Sequence, residues 1–323
     1  MSVTIDVIDA LSENEVDAVA HLVERVTETD GVRPLSENVA MNLLAGRADG
    51  FRHICASRDG RLVAYASLEL GATGGGTVEL AVDPAVRDSG VSGAVLDLAL
   101  RETSGHLDIW AHGESGATTA LATSRGFRQV RTLYRMRRTL LRDLPLAPVP
   151  TGIAIRTFDP VNDVDSWLAV NAAAFADLPD QGGWTRKDLA LRQREDWFDP
   201  TGFLLAQEVN TDGSPGTLAG FHWTKVDRHD AGVDDDADDI DGPDPIGEVY
   251  VLGITPTWKG RGLGRALTVM GMEHLRDQGL TEIMLYVDSD NTAAIKTYER
   301  LGFVRYEKDT LFSSPVPARP NQG

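Results

Sequence analysis

Hydrophobic and polar residues alternate over Val3–Ile8, which predicts a strand, and the spacing then changes to that of an amphipathic helix with Val16, Val19, Ala20 and Val23 on one face. Ser12 and Glu15, three residues apart, form the capping box that opens this helix. The pattern continues with a short helix near Ser36–Ala45, strands at His53–Ser57, Arg61–Leu70 and Thr77–Val82, a glycine turn and a helix over Val91–Glu102. Strand Leu107–Ala111, helix Ala117–Ser124 and strand Phe127–Leu140 follow. A run rich in proline, Leu141–Gly152, then interrupts every periodicity.

Beyond that break the same order returns. Ile153–Phe158 reads as a strand, Val161 to Phe175 as a helix, and Phe203–Val209, Thr217–Val226 and Glu248–Ile254 as strands. Helix Gly262–Gln278, strand Glu282–Asp288, helix Asn291–Leu301 and strand Phe303–Phe312 complete the second pass. Pro84 and Gly90 recur as Pro256 and Gly262 at a separation of 172 residues, and Gly126-Phe127 recurs as Gly302-Phe303 at 176. The chain therefore reads as two copies of one α/β unit, residues 1–140 and 153–323, joined by a linker at 141–152.

Composition narrows the functions open to such a pair. Thirty-one Lys and Arg against 49 Asp and Glu give a net charge of −18, which repels nucleic acid and anionic lipid. Nine aspartates between Asp227 and Asp244, broken by glycine and proline, read as a solvated acidic loop over 227–245; no calcium-loop spacing is present there. A single cysteine, Cys55, allows neither an intrachain disulfide nor a Cys-based zinc site, and no metal ligand set emerges from the seven histidines. With no apolar leader at the start and no membrane-length apolar run, a cytoplasmic protein is expected.

The chemistry concentrates where strand Glu248–Ile254 runs through Thr255-Pro-Thr-Trp-Lys259-Gly-Arg-Gly262-Leu-Gly264-Arg265 into a helix. Glycines let backbone N–H groups converge on an anion, and the helix N-terminus adds partial positive charge, so this turn suits a pyrophosphate. It lacks the Gly-Lys-Ser/Thr of a P-loop and the third glycine of a dinucleotide fingerprint. An amine of pKa about 8 must lose a proton before it attacks an acyl group, which calls for a nearby base. Glu248 is placed for that, on the expectation that Glu248, Tyr250 and Leu252 alternate onto one face of the strand leading to the loop.

Lys259–Gly264 resembles the Q/R-x-x-G-x-G/A acetyl-CoA loop of the GCN5-related N-acetyltransferases (GNAT), and Asn291-Thr-Ala-Ala-Ile-Lys-Thr-Tyr298-Glu-Arg-Leu-Gly-Phe303 resembles that family's downstream helix and Gly-Phe turn. Arg87-Asp-Ser-Gly90-Val-Ser92 is a degenerate copy of the same loop. A narrower likeness, carried by Leu80-Ala81-Val82, Trp110-Ala-His-Gly113, Gln181-Gly-Gly-Trp184, Glu248–Gly264 and Leu285–Asn291, is to the mycothiol synthases, a tandem branch of that family.

The resemblance implies two GNAT-type domains, each a mixed, largely antiparallel sheet flanked by helices, in a pseudo-dimeric monomer. It implies acetyl-CoA as co-substrate, held by Leu252, Gly253, Ile254, Lys259, Gly260, Arg261, Gly262, Leu263, Gly264, Arg265, Asn291, Thr292, Ala293, Ala294, Ile295 and Lys296, and in the first half by Leu80, Ala81 and Val82. Glu37, Asp180, Lys225, Glu248 and Tyr286 are the residues it nominates for the acceptor, and Tyr298 for the general acid. A tyrosine near pKa 10 needs a site that lowers that value to protonate a thiolate near 8.5. At the separations above, Glu248 falls on Gly76, Tyr298 on Ala122 and Asn291 on Ser115, so the first half lacks the proton-transfer groups and is expected to be non-catalytic.

The branch implies acetylation of the cysteinyl amine of a cysteine–glucosamine–inositol precursor. Acetylation of another small amine or a protein N-terminus, or acyl-CoA sensing without catalysis, are the alternatives left open.

Overall fold

The computed structural model describes residues 3–44, 50–71, 74–103, 106–113, 116–227 and 245–315. The acidic run 228–244 lies outside the described residues, as does Ser115. Among the described residues no helix is long and apolar enough to cross a membrane, and no cluster of three or more His, Cys, Asp or Glu side chains could hold a metal ion.

Two compact units emerge: Met1–Tyr134 with Glu307–Gly323, and Arg135–Tyr306. In unit 1 the order is β1 (Val3–Ile8), α1 (Glu13–Asp30), α2 (Glu37–Leu44), β2 (Phe51–Arg58), β3 (Arg61–Leu70), β4 (Gly76–Val82), α3 (Val91–Glu102), β5 (Leu107–Ala111), α4 (Gly116–Ser124) and the start of β6 (Arg128–Thr139). Unit 2 runs from the end of β6 through β7 (Ile153–Thr157), α5 (Val164–Ala174), α6 (Pro179–Gly182), α7 (Arg186–Arg192), β8 (Phe203–Val209), β9 (Pro215–Asp227), β10 (Ile246–Ile254), α8 (Leu263–Asp277), β11 (Glu282–Asp288) and α9 (Thr292–Arg300) into β12 (Val304–Ser313).

Within unit 1, β1 to β4 pair antiparallel in sequence order and β4 pairs parallel with β5. Unit 2 repeats this with β7 to β10 antiparallel and β10 parallel to β11. Each sheet is thus mixed and largely antiparallel, with helices on both faces. In unit 1, α1 packs Val19, Leu22 and Val26 against Tyr65 and Ala81 on one face, while Val95, Leu96 and Ala99 of α3 meet Ile54, Ala66 and Val78 on the other. In unit 2, Trp167 and Val170 of α5 pack with Phe203, Phe221 and Trp223, and Leu263 and Leu267 of α8 with Leu204 and Ala206.

Two details of the sequence reading change. The buried stripe of α1 is Val19, Leu22 and Val26, with Ala20 exposed. The boundary at 141–152 also differs from the division into units, because the last strand of each sequence half joins the other unit. Thr310–Ser313 of β12 pair antiparallel with Asp108–Ala111 of β5, and Ser314 exchanges hydrogen bonds with the backbone of Leu107 at 2.8 and 2.9 Å. The end of β6 lies beside β11, where the Leu140 N–H donates to the Thr281 carbonyl at 2.7 Å.

Candidate active site

The parallel ladder between β10 and β11 covers only Gly247–Val249 and Ile283–Leu285. Beyond it Val251–Ile254 keep their antiparallel bonds to β9, so the edge of β10 facing β11 is left unpaired towards the carboxyl ends of both strands. Each strand then turns into a helix N-terminus, α8 and α9, at the same end of the sheet. Ligands of α/β sheets bind at such an opening.

A β-bulge shapes this edge. Val249 pairs with Thr224 and Val251 with Trp223, so Tyr250 is an extra residue in β10. The extra residue resets the alternation: Tyr250 and Val251 both pack with the Trp167–Trp223 cluster, whereas Leu252 and Ile254 face α8. The expectation that Glu248, Tyr250 and Leu252 share a face is therefore corrected. Glu248 and Tyr250 share one, and Leu252 is on the other.

Glu248 is 7% exposed and lies directly across the ladder from Lys225, which is 6% exposed. Directly opposed side chains project to the same face. The Lys225 Nζ sits 5.2 Å from the ring centre of Trp197 and 5.8 Å from that of Tyr250, between two aromatic faces that favour a cation. The Tyr250 hydroxyl accepts from Arg192 Nε at 2.7 Å, and the Arg192 guanidinium lies 3.9 Å over Trp184. Arg192 comes from α7, a helix absent from the sequence reading; its capping box at Thr185 and Asp188 is the signal that could have located it.

The turn into α8 is exposed at Lys259, Gly260, Arg261, Gly262 and Arg265, while Leu263 is buried. Gly260 and Gly262 have φ of 78° and 85°, the left-handed region that favours glycine. No side chain caps α8, so the first-turn amides around Leu263, Gly264 and Arg265 are offered to a ligand. Three cations surround them, and Arg261 stacks 4.9 Å over Trp258. This donor set fits the pyrophosphate of a coenzyme. On the second helix Asn291 caps α9, its side chain accepting from the Ala294 N–H at 3.2 Å; Thr292, Ala293 and Lys296 are exposed and Ile295 is buried.

Tyr298 is 8% exposed on the inner face of α9, edge-on to Phe303 at 5.7 Å. Its hydroxyl makes no hydrogen bond among the described residues. Burial pushes its pKa up to about 12, the opposite direction from the one the sequence reading required. Tyr286, 38% exposed on β11, has its hydroxyl held by Arg135 at 2.7 Å. Asp180 lies in α6, and its side chain is outside what the structure describes. Glu37 opens α2 in unit 1.

Unit 1 contains the corresponding opening. Its β4–β5 ladder ends at Val78 and Ile109, leaving Leu80, Ala81 and Val82 past the last pair, with their side chains in the core. There is no bulge: β4 pairs with β3 in unbroken register. Counted from the ends of the two parallel ladders, Glu248 therefore corresponds to Thr77, which corrects its alignment with Gly76. The separation is 171 residues before the bulge and 172 after it, a one-residue step in the repeat that signals the bulge in sequence. Thr77 cannot serve as a base. Tyr298 corresponds to the fully buried Ala122 of α4 at the 176 separation.

Comparison with known proteins adds lineage to this geometry. Residues 167–303 match the acetyltransferase (GNAT) family. The chain is 44% identical to the mycothiol acetyltransferase of Thermomonospora curvata, covering 96% of this chain and 97% of the relative, and 45% identical to that of Geodermatophilus obscurus, covering 94% and 95%. Among solved structures it is similar to a tandem GNAT protein of the clavulanic acid biosynthesis pathway, with a TM-score of 0.70 at 17% identity over 98% of this chain and all of that one. A GCN5-related N-acetyltransferase from Sphaerobacter thermophilus matches with a TM-score of 0.69 at 23% identity, covering 96% of this chain and 95% of that chain. With identity above 40% over nearly the whole length, the chain belongs to the GNAT acetyltransferases, in the mycothiol acetyltransferase branch.

Proposed function

We propose that this protein transfers the acetyl group of acetyl-CoA to the cysteinyl amine of a cysteine–glucosamine–inositol precursor, the last step of mycothiol biosynthesis. The observation that carries the reading is a buried carboxylate, Glu248, beside the open carboxyl ends of β10 and β11, with an uncapped glycine-rich helix N-terminus immediately after it. The near-full-length relatives supply the acceptor class.

The residues divide the work as follows. The α8 amides with Lys259, Arg261 and Arg265 hold the pyrophosphate, and α9 from Asn291 to Lys296 lines the other side of the coenzyme. The unpaired edge at Leu252–Ile254 provides backbone donors for the acyl oxygen as it becomes an oxyanion. Lys225, caged by Trp197 and Tyr250, keeps Glu248 ionised, and that carboxylate attracts the ammonium of the acceptor and takes its proton, directly or through water. Nitrogen then bonds to the acyl carbon, the carbon–sulfur bond breaks, and the sulfur leaves as thiolate.

Tyr298 faces that sulfur with its proton firmly held. Full transfer from a phenol near 12 to a thiolate near 8.5 is uphill by about 5 kcal/mol, so Tyr298 acts first as a hydrogen-bond donor to the developing charge, and its proton is replenished from solvent once transferred. Asp180, Tyr286 and, from unit 1, Glu37 contribute acceptor contacts. Carboxylates and a phenol suit a polyol whose hydroxyls need both donors and acceptors.

The test is product formation. Purified protein with acetyl-CoA and the cysteinyl precursor yields a product heavier by one acetyl group, while aminoglycosides and peptide N-termini are left unmodified. Binding of acetyl-CoA with no turnover of any amine would instead establish the sensor.

A further inference from the structure

A buried charged cluster in unit 1 takes no part in the chemistry above. Glu79 on β4 and Asp309 on β12 are 7% and 5% exposed, and His112, the residue after β5, lies between them. His112 Nε2 is 3.2 Å from Glu79 Oε2, and its Nδ1 is 3.5 Å from Asp309 Oδ2. A ring with an acceptor at each nitrogen must carry hydrogen on both, so it is an imidazolium. Burial alone would lower its pKa, but the two carboxylates outweigh burial and push it up to about 10. The remaining neighbour is the ring of Trp110, stacked at 6.2 Å.

Both outer ends of the trio continue into backbone. Asp309 Oδ1 accepts from the Gly113 N–H at 2.7 Å. Glu79 accepts from the Ser36 N–H at 2.5 Å and from the Ser36 hydroxyl at 2.7 Å. The Ser36 carbonyl in turn accepts from the Ala40 N–H, so Ser36 starts α2 and Glu37 is the first residue of that helix.

We propose that the relay Asp309–His112–Glu79–Ser36 positions Glu37, so that the terminal strand of the chain governs acceptor affinity without touching the acceptor. Removing either carboxylate leaves a buried imidazole facing one counter-charge, and the start of α2 then loses its fixed anchor. The proposal rests on the reading that Glu37 contacts the acceptor.

Steady-state kinetics of the full-length Asp309→Asn, Glu79→Gln, Ser36→Ala and Glu37→Ala variants test it. For Asp309→Asn and Glu79→Gln the acceptor KM should rise about tenfold, with kcat within about twofold and the acetyl-CoA KM unchanged, as loss of ground-state binding requires. Ser36→Ala, which removes one hydroxyl and spares the charges, should raise it about threefold and carries the test if the charge variants do not fold. The His112 ring resonances should not titrate between about pH 6 and 9 in the wild type, and should titrate there in Asp309→Asn, where the acceptor KM becomes pH-dependent.

Variants that melt earlier yet keep the wild-type acceptor KM would reduce the relay to a structural clasp. If Glu37→Ala raises the acceptor KM and the other three leave it alone, the relay alone is overturned. A Glu37→Ala variant with a normal acceptor KM overturns the acceptor contact and the relay together.

Discussion

Strands β4 and β10 hold the same place in their units but differ by one residue. Both begin at a glycine that lets a helix approach: a Cβ on Gly76 would come within 3.0 Å of Thr103 at the end of α3, and one on Gly247 within 2.8 Å of Leu275 in α8. Both part from their parallel neighbour after three pairs. Only β10 carries the bulge at Tyr250, which turns Glu248 and Tyr250 towards Lys225 and aims Leu252 the other way. The basic side chains differ as well. Lys259 is exposed in unit 2, whereas Arg87, its counterpart, is committed to Asp30 through two bonds at 2.8 and 2.6 Å. An opening between strands is thus a property of the fold, and the proposed chemistry needs the bulge, the carboxylate and an uncommitted cation in addition.

The sharpest way to break this contrast is at the base. Glu248→Gln should lower kcat/KM by about 10³-fold while acetyl-CoA affinity stays within a few-fold, and Thr77→Val, the corresponding change in unit 1, should leave turnover as it was. Equal losses would mean that the units share the chemistry. Tyr298→Phe should cost about 10²-fold in kcat, since it removes the donor to sulfur and preserves the ring packing on Phe303. Wild-type turnover would make Tyr298 a core residue only.

Gly262→Val comes next. A branched residue at φ 85° distorts the start of α8, and acetyl-CoA binding measured by calorimetry should weaken about tenfold or more.

The smallest effect is on stability, and the two units should respond to opposite ends of the pH scale. His112 has a raised pKa, so its contribution is fully present below about 6.5 and is lost as pH rises through about 10. His222, fully buried under α8 with Nδ1 at 2.8 Å from the Leu267 carbonyl, is lowered to about 4 by burial, so its neutral form is favoured at neutral pH and the stability is lost as pH falls from 6.5 through 4. Melting followed by hydrogen exchange should show unit 1 loosening first in alkali and unit 2 first in acid. Asp309→Asn should move the alkaline loss to lower pH.

Much of this was legible in the chain. The elements follow the hydrophobic period, and the recurrence of Pro84 and Gly90 as Pro256 and Gly262 marks two units with left-handed glycines at matching helix starts, φ 82° and 85°. The capping box is also as the residues suggest, with Glu15 accepting from the Ser12 N–H and hydroxyl at 2.7 Å. The bulge was hidden because Val249-Tyr-Val-Leu252 is apolar at every position, so its polarity pattern gives no sign of which residue is extra. The Asp309–His112–Glu79 cluster joins residues up to 230 positions apart, which no local pattern encodes. Burial of Tyr298, and with it the direction of its pKa, depends on Phe303 folding back over α9, a tertiary fact.

The exchange of terminal strands has a consequence for synthesis. Unit 1 cannot close its sheet until Thr310–Ser313 have left the ribosome, about 200 residues after β5, which at about 5–20 residues per second is a wait of about 10–40 s. Through that interval β5 presents an unpaired backbone edge to the cytosol or to any neighbouring nascent chain. The half of the protein that is translated first is therefore completed last, and premature termination anywhere in the second half leaves the first without its final strand.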